Sequence, residues 1–216
     1  MNAMLVLLEE QFRQRANPQE IDAMQQYMRN QFPFLGLKRP QRAEALKPFL
    51  AEIRGTDQAL EAAEWLWEKE EREFQYAALD ILQARVKKLD AAQLQQLKSL
   101  VISKPWWDTV DRLAASIIGP AVRTDDGLRQ EVFNWRNGQH LWLERTALLF
   151  QLKYRAATDT HQLEEVIVQF SRSKEFFHQK AIGWALRTYK RTDEEWVFSL
   201  IDRVPLAALS VREAWK

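Results

Sequence analysis

Apolar residues recur at intervals of three and four along almost the whole chain, as in AALDILQARVKKL (77–89) and TALLFQLKYR (146–155). This spacing is typical of amphipathic helices. Only six glycines and seven prolines interrupt it in 216 residues. The pattern predicts an all-α protein of about a dozen helices, each of roughly ten to eighteen residues, joined by short loops.

Prolines and small polar residues mark where these helices should begin. Proline is favoured in the first helical turn, and Asp, Asn, Ser and Thr are favoured as N-caps. The expected starts are at Asn17-Pro18, Arg39-Pro40 and Lys104-Pro105, and the expected caps are at Thr56-Asp57, Asp90 and Thr192-Asp193.

The aromatic positions repeat with a period of 35 residues. Trp107, Trp142 and Phe177 are separated by 35 and 35 residues. A period of this length in a helical chain indicates stacked helix pairs. Because the tetratricopeptide pattern is missing, we expect a HEAT-like helical repeat array, an α-α superhelix with a concave binding face, forming one domain over residues 1–216.

Composition and charge give few further restrictions. The formal net charge is +1 and the chain contains no cysteine, so neither a disulfide framework nor a thiolate metal site is expected. The apolar run in MNAMLVLLEEQF is too short to span a bilayer and lacks the flanks of a secretory leader. We therefore expect a cytoplasmic protein without a membrane partner, and a monomer without an obligate protein partner.

Several chemistries lack the residues that they require. His140, His161 and His178 have no second metal-ligand spacing, and we expect each to lie on the surface or at a helix end. There is no GxxxxGK[ST] or GxGxxG loop and no GxSxG elbow. Nucleotide hydrolysis, Rossmann redox chemistry and serine hydrolysis are therefore not expected, and neither is a cofactor or a metal.

The segment SKPWWDTVD (103–111) carries the most unusual pair. Trp107 and Asp111 are four residues apart, so on a helix an indole and a carboxylate share one face. Trp106 and Trp107 are adjacent and cannot both lie on one narrow buried stripe. Trp65 and Trp67 raise the same question, and at least one of them should be partly exposed.

Structural roles compete with functional ones at the other candidate residues. Trp142 is best explained as filling a seam between helices. Arg145, beside an apolar stripe, could pair with an acid such as Glu144. Gly183 inside a helix costs roughly 1 kcal/mol relative to alanine, which indicates close approach of another helix or of a ligand next to Trp184.

Three motifs follow one another along the chain in this order: SKPWWDTVD, WLERTALLFQLKYR and SKEFFHQKAIGWALR. In these motifs the chain resembles the AlkD-type DNA alkylation-repair glycosylases, a family built of HEAT-like repeats. The likeness extends to MQQYMRNQFPFLGL, EREFQYAALDI and PLAALSVREA, so it covers essentially the whole chain. The resemblance implies hydrolysis of the N-glycosidic bond of 3-methyladenine and 7-methylguanine in double-stranded DNA, without swinging the base out of the helix. It also implies a bacterial protein associated with the nucleoid.

Family site residues carry over at four positions. The resemblance implies that Asp111, Trp107, Trp184 and Arg145 are the catalytic residues. Asp111 would stabilise positive charge on the sugar and orient water, and Arg145 would bind a backbone phosphate. Trp107 and Trp184 would cradle the cationic base through their electron-rich faces. Glu144 places a negative charge beside Arg145, which is unusual next to a residue expected to bind a phosphate.

Three further positions match residues near DNA in the family. The resemblance implies DNA contacts for Tyr27, Arg187 and Arg191. Two alternatives to the enzyme stay open: a HEAT-like module that binds DNA without chemistry, and a scaffold that binds only protein. The scaffold predicts that the four catalytic candidates do not converge.

Overall fold

Residues 2–216 of the protein are described by a computed structural model, and throughout this part of the chain the regular structure is helical. The all-α prediction is therefore confirmed, together with the expected pairing of consecutive helices. The α-helices are α1 (Asn2–Gln14), α2 (Pro18–Tyr27), α3 (Arg39–Glu52), α4 (Gly55–Trp67), α5 (Arg72–Arg85), α6 (Ala91–Ile102), α7 (Trp107–Arg112), α8 (Gly119–Val122), α9 (Asp126–Asn134), α10 (Leu141–Leu149), α11 (Thr160–Phe170), α12 (Phe176–Lys190), α13 (Glu194–Arg203) and α14 (Ala208–Ala214).

Three of the predicted helix starts are confirmed by a side chain that caps the helix. Asn17 accepts from the Gln19 amide at the start of α2, with Pro18 as the first helical residue. Asp90 accepts from the Gln93 amide at 2.8 Å, and Asp193 accepts from the Trp196 amide at 2.9 Å. Pro40 lies in the first turn of α3, as predicted.

Two predicted starts are wrong. The cap at Thr56-Asp57 is replaced by Gln58, whose side chain accepts from the Arg54 amide at 2.7 Å, so α4 begins at Gly55. Pro105 precedes its helix instead of starting it. The backbone at Lys104 is left-handed, with φ of 46°, and the chain straightens at Trp106 before α7 begins.

Contacts divide the chain into two compact units, the first ending at Lys88 and the second beginning at Leu89. In the first unit, the short connection between α4 and α5 lets these helices pack side by side. Trp67 is buried in this unit and Trp65 is half-buried, which confirms the expectation for that pair.

A buried carboxylate organises the loop that precedes α3. Glu73 accepts hydrogen bonds of 2.9 to 3.1 Å from the amides of Leu35, Gly36 and Leu37. Burial raises the pKa of Glu73, while these amides act in the opposite direction. Three backbone donors that would otherwise be unsatisfied are thereby paired inside the first unit.

In the second unit, α10 packs against both α7 and α12. Contacts between residues about 35 positions apart recur there: Trp142 lies 4.8 Å from Phe177 between ring centroids, and the Tyr154 hydroxyl donates to the Gly119 carbonyl at 2.7 Å. Trp106, the residue before Trp107, packs against Trp142 with 5.8 Å between ring centroids. Trp142 is buried, as its predicted structural role requires.

Helix α7 is continuous with α8 through a π-helical segment, Leu113–Ile118. The π turn accommodates an extra residue, and such segments occur frequently at functional sites. It also explains why α7 and α8 are individually shorter than the predicted ten residues. Together the three segments form one helix over residues 107–122.

The C-terminal helix lies directly against Gly183. A Cβ at this position would be 2.4 Å from Glu213 Cβ and 2.6 Å from the Ser210 carbonyl oxygen. The predicted close approach is therefore that of another helix, α14. Within residues 2–216, no helix combines the length and apolar character needed to cross a bilayer.

Candidate functional site

Asp111 lies one turn into α7, with 13 % of its side chain exposed. Trp107 is the first residue of the same helix and is half-buried. The predicted i, i+4 relationship is confirmed by the helix bounds, because both residues lie within Trp107–Arg112. Indole and carboxylate therefore share one helix face at the start of the second unit's α7.

Arg145 holds this carboxylate from the neighbouring helix. Its Nε donates to Asp111 Oδ1 at 2.7 Å and its Nη2 donates to Oδ2 at 2.8 Å. Its remaining terminal nitrogen donates to the Phe177 carbonyl at 2.5 Å. One buried guanidinium thus joins α7, α10 and α12.

This arrangement differs from the expectation that Arg145 forks a backbone phosphate. Each of its three nitrogens already has an acceptor inside the protein, and only 5 % of the side chain is exposed. A bidentate arginine–carboxylate pair is geometrically specific. The fork is directed at Asp111 because the two side chains face each other across the α7–α10 packing.

The electrostatic environment of Asp111 contains opposing effects. Burial raises the pKa of the Asp111 carboxyl above its ordinary value, and the charge of Asp108 acts in the same direction. The charge and hydrogen bonds of Arg145 lower it. Because the pair is hydrogen-bonded through both oxygens, the carboxylate has a fixed orientation, with its remaining acceptor capacity limited to the exposed edge.

An aromatic cluster lies behind the ion pair. Phe177 contacts Trp106 at 5.3 Å and Trp142 at 4.8 Å, and the Arg145 guanidinium carbon lies 5.7 Å from the Phe177 ring centroid. These rings exclude water from the inner side of Arg145. The low local dielectric strengthens the pair and makes removal of either partner costly.

Trp184 lies on α12, seven residues after Phe177, and is half-buried. Residues seven apart on a helix lie on one face, two turns from each other. The residue before it, Gly183, is in contact with α14. Both tryptophan candidates, Trp107 and Trp184, therefore lie on helices whose ends are joined through Arg145.

All three histidines lie on the surface or at a helix end, as expected, but His178 is also buried. His140 caps α10, accepting from the Trp142 amide, and His161 is exposed. His178 is buried in α12, with Nδ1 2.9 Å from Ser173 Oγ and its ring 4.4 Å from Phe170. It is buried because its helix face packs inward.

Glu144 faces His178, not Arg145. His178 Nε2 lies 3.0 Å from Glu144 Oε2, without the geometry of a hydrogen bond. Burial and the charge of Arg145 lower the pKa of His178 to about 4, so the imidazole is neutral near pH 7. Glu144 therefore does not compete with Asp111 for the Arg145 fork.

The three residues expected at the DNA have different surroundings. Tyr27 ends α2 in the first unit and is 72 % exposed. Arg191 is exposed directly after α12. Arg187 is half-buried and donates to the Glu213 carbonyl at 3.1 Å, so part of its hydrogen-bonding capacity is used within the protein.

Among the described residues, no three histidine or acidic side chains lie close enough together to hold a metal ion. In the second unit, the candidate residues offer a largely buried carboxylate at Asp111 and two half-buried indoles at Trp107 and Trp184. Such an arrangement can stabilise a cation and position water beside it.

Comparisons with known proteins agree with this description. The model of a family described as DNA alkylation repair enzyme matches residues 8–216. A predicted DNA alkylation repair enzyme from Enterococcus faecalis has a similar structure, with a TM-score of 0.86 and 32 % sequence identity, over 93 % of this chain and 95 % of that one. No curated protein matches the chain.

The chain belongs to the DNA alkylation repair enzyme family. Membership supports a role in DNA alkylation repair, with DNA as the substrate.

Sequence reasoning missed two features of this site. The hydrogen bond from Arg145 to the Phe177 carbonyl is made to a backbone atom, so the identity of residue 177 does not predict it. The Asp111–Arg145 pair had a usable signal, because the two residues are 34 positions apart, close to the repeat period of 35. Equivalent positions of neighbouring repeats are adjacent in such arrays.

Proposed function

We propose that this protein is a DNA glycosylase that hydrolyses the N-glycosidic bond of cationic N3- and N7-alkylated purines in double-stranded DNA. Substrates would include 3-methyladenine and 7-methylguanine. The products would be the free alkylated base and an abasic site. The resemblance of the three central motifs supports the reaction, and family membership supports the substrate class.

The observation that carries the proposal is the state of Asp111. It is a largely buried carboxylate with a fixed orientation and an exposed edge, and it lies one helical turn from a half-buried indole. A preorganised anion of this kind costs little reorganisation when positive charge develops beside it. A purely structural ion pair would not require Trp107 on the same face.

The chemistry follows from the charge of the lesion. An N-alkylated purine carries a positive charge and leaves without protonation by a general acid. As the bond from C1′ to the purine nitrogen breaks, its electron pair neutralises the base and positive charge passes to the sugar. Asp111 would stabilise that charge and orient the water whose oxygen bonds to C1′. The released proton passes to Asp111 and then to solvent.

Trp107 and Trp184 would form the two sides of the lesion cradle. A cation over an indole face is stabilised by about 0.5 to 2 kcal/mol, depending on desolvation. The neutral product loses this attraction, which favours its release. Arg145 is a positioning residue in this scheme, because its guanidinium acts on the substrate only through Asp111.

DNA contacts would come from Tyr27 in the first unit and from Arg187 and Arg191 on α12. Arg191 is exposed and suited to a phosphate, whereas Arg187 would have to share its donors with Glu213. No metal or organic cofactor is needed for hydrolysis of this bond. We expect the protein to act as a monomer in the bacterial cytoplasm, at the nucleoid.

We further propose that the base stays in the duplex, as the resemblance implies, whereas typical glycosylases extrude it. A 2-aminopurine next to the lesion should then show little increase in fluorescence on binding. A large increase, of the size seen on strand separation, would contradict this part of the proposal.

The test of the reaction is release of 7-methylguanine from a duplex under single-turnover conditions. The wild-type protein should release the base, and Asp111→Asn should do so at least 100-fold more slowly, since a charge-stabilising group is typically worth 10²- to 10³-fold in rate. Binding of the lesion duplex should persist in the variant.

Asp126→Asn is the matched control. Asp126 is 88 % exposed and lies at the start of α9, where it pairs with Arg129. This variant should behave as wild type. If the wild-type protein binds damaged DNA but releases no base, the protein is a binding module without chemistry.

A further inference from the structure

A second feature of the C-terminal unit is an open groove of about 960 Å³ between the ends of helices. It lies where the chain leaves α8, α10 and α12. Four exposed cations line it, together with two threonines: Arg123, Lys153, Arg155, Arg191, Thr188 and Thr192. No acidic residue is part of the lining.

Buried hydrogen bonds fix the loop that carries two of these cations. The Tyr154 hydroxyl donates to the Gly119 carbonyl at 2.7 Å. The Gln151 side chain accepts from the Asp159 amide at 2.8 Å and donates to the Asp159 carbonyl at 3.4 Å. Lys153 and Arg155 are therefore presented outward from a loop that is anchored from both sides.

Arg155 has a left-handed backbone, with φ of 53°. This conformation is unfavourable for a residue other than glycine, and strained positions cluster at ligand sites. A glycine or asparagine would fit the turn with less strain. The chain instead has an exposed cation there, pointing into a groove with three others.

Nearby acidic residues do not neutralise these cations. Asp125, Asp159 and Asp193 cap α9, α11 and α13 with their side chains. Lys153 donates to Ser116 at 2.9 Å, and Arg123 lies 6.0 Å from the Tyr154 ring. Across the described residues, no salt bridge joins any of the four cations to a carboxylate.

The groove is separated from the candidate lesion site along α12. Arg191 follows Trp184 by seven residues, which is about 10 Å along a helix. Each DNA strand carries one phosphate per roughly 3.4 Å of helix axis. If the duplex axis runs along α12, phosphates about three steps from a nucleotide at Trp184 reach the position of Arg191.

We propose that this groove, defined by Arg123, Lys153, Arg155 and Arg191, is a second phosphate-binding site that holds the DNA backbone flanking the lesion, whether or not the DNA is damaged. The inference rests on the proposed function for its choice of DNA. The groove itself requires only a polyanion, because it offers two cations on the anchored loop, a third directly after α8 and a fourth directly after α12. With a net charge of only +1 over the whole chain, this local cluster supplies the attraction that composition does not.

The test compares wild type with the double variant Lys153→Gln/Arg155→Gln on an undamaged duplex, from 50 to 200 mM salt. Each phosphate contact contributes about −0.9 to the slope of log affinity against log salt. The double variant should lose at least tenfold in affinity at 50 mM salt, and its slope should be shallower by about 2. Base release at saturating protein should stay within about threefold of wild type.

Arg172→Gln/Lys174→Gln is the matched control, because it removes two exposed cations before α12, outside the groove. It should retain the wild-type slope. Both double variants should also keep the wild-type unfolding midpoint, which separates lost phosphate contacts from lost helix-end stabilisation. An unchanged affinity and slope in the groove variant would overturn the proposal, whatever the base-release assay shows.

Two further arms separate this site from the proposed reaction. The wild-type protein could release no base while the groove variant still shows a shallower dependence of affinity on salt. That result would support phosphate binding in the groove and contradict the proposed glycosylase activity. Competition by millimolar inorganic phosphate at constant ionic strength would mean that the groove takes a free phosphate. That result would overturn its assignment to the DNA backbone.

Discussion

Asp111 and Arg145, which lie on different helices 34 positions apart, share two hydrogen bonds of 2.7 and 2.8 Å. The same guanidinium reaches the Phe177 carbonyl. The orientation of the candidate catalytic carboxylate is therefore determined by α10 and α12 as much as by its own helix.

Replacing the guanidinium of Arg145 by an ammonium should separate two effects on Asp111, which are the orientation of its carboxylate and the positive charge beside it. Arg145→Lys keeps a cation but can donate to only one carboxylate oxygen in fixed geometry. We expect single-turnover base release to fall at least tenfold. The acidic limb of its pH profile should move to higher pH, because Arg145 lowers the pKa of Asp111.

Arg145→Ala should additionally lower the free energy of unfolding by about 3 kcal/mol, since it leaves a buried carboxylate without its partner. Urea unfolding measures this loss. A lysine variant with a wild-type rate and pH profile would show that Arg145 only stabilises the fold.

Activity should depend on ionisation of Asp111. Burial raises the pKa of this carboxyl above 3.8, its ordinary value, so base release should be low in acid and rise with pH through the raised pKa. Because the pKa of Asp111 is higher in the folded than in the unfolded protein, protonated Asp111 favours folding. This contribution to the free energy of unfolding is present below the ordinary aspartate pKa and is lost as the pH rises through the pKa of Asp111 in the folded protein.

Single-turnover rates between pH 4 and 8 measure that ionisation. A profile that stays flat down to pH 4 would contradict the assignment of Asp111 as the charge-stabilising group.

The indole of Trp107 should contribute through its electron-rich face. In Trp107→Leu the apolar contact is partly kept and the cation attraction is lost, at a cost of about 0.5 to 2 kcal/mol. This corresponds to roughly 2- to 30-fold in base release. Trp107→Phe should lie between leucine and wild type, and equal rates for leucine and phenylalanine would argue against a cation–π role.

The contact of Gly183 with α14 should be sensitive to one methyl group. A Cβ in Gly183→Ala would be 2.4 Å from Glu213 Cβ, so α14 must shift, at a cost of about 1 to 3 kcal/mol in unfolding free energy. Gly127→Ala is the control. Its Cβ would meet only Asp125 Oδ1, at 3.5 Å, and it should be neutral or stabilising.

Because Trp184 follows Gly183 directly, base release should also decrease in Gly183→Ala. Equal unfolding midpoints for the two alanine variants would show that the α12–α14 contact is not tight in solution.

Glu213 should contribute to stability only above acidic pH. Its side chain is 6 % exposed and lies 3.0 Å from Lys180 and 2.5 Å from Lys216, and these lysines lower its pKa to about 2. A lowered carboxyl pKa gives stability that is present above the ordinary value of 4.5 and is lost as the pH falls towards 2.

Glu213→Gln should therefore cost about 1 kcal/mol in urea unfolding at pH 7, since both lysine partners are partly exposed. The difference from wild type should narrow at pH 3. A difference that does not change with pH would assign the effect to packing against Gly183.

The local features of this fold could be predicted from the sequence, whereas the contacts between helices could not. Helical periodicity predicts the all-α class, and the i, i+4 spacing alone places Trp107 and Asp111 on one face. The caps at Asn17, Asp90 and Asp193 involve side chains within three residues of the amides that they bind.

Longer-range relationships depend on how one helix is rotated against the next. The 35-residue spacing relates Trp107 to Trp142, but it does not show that Trp106 packs against Trp142. A phosphate was expected for Arg145, but Asp111 occupies its fork. Apolar periodicity does not determine the rotation of one helix against the next to within one residue, and it does not show which side chains meet across the interface.

The π-helical segment Leu113–Ile118 makes the number of residues in this helix as important as their identity. It lies between Asp111 and Gly119, where a Cβ would be 1.9 Å from the Phe150 carbonyl oxygen, so no side chain fits at that point. A π turn holds one residue more than an α turn, so deleting one residue from the segment should restore a regular α-helix and leave Asp111 and Gly119 on nearly their present faces. One further inserted residue would have no wide turn to absorb it and would turn Asp111 by about 100° relative to Gly119. The wide turn is therefore a spacer that lets Asp111 face Arg145 and Gly119 contact Phe150 from one continuous helix.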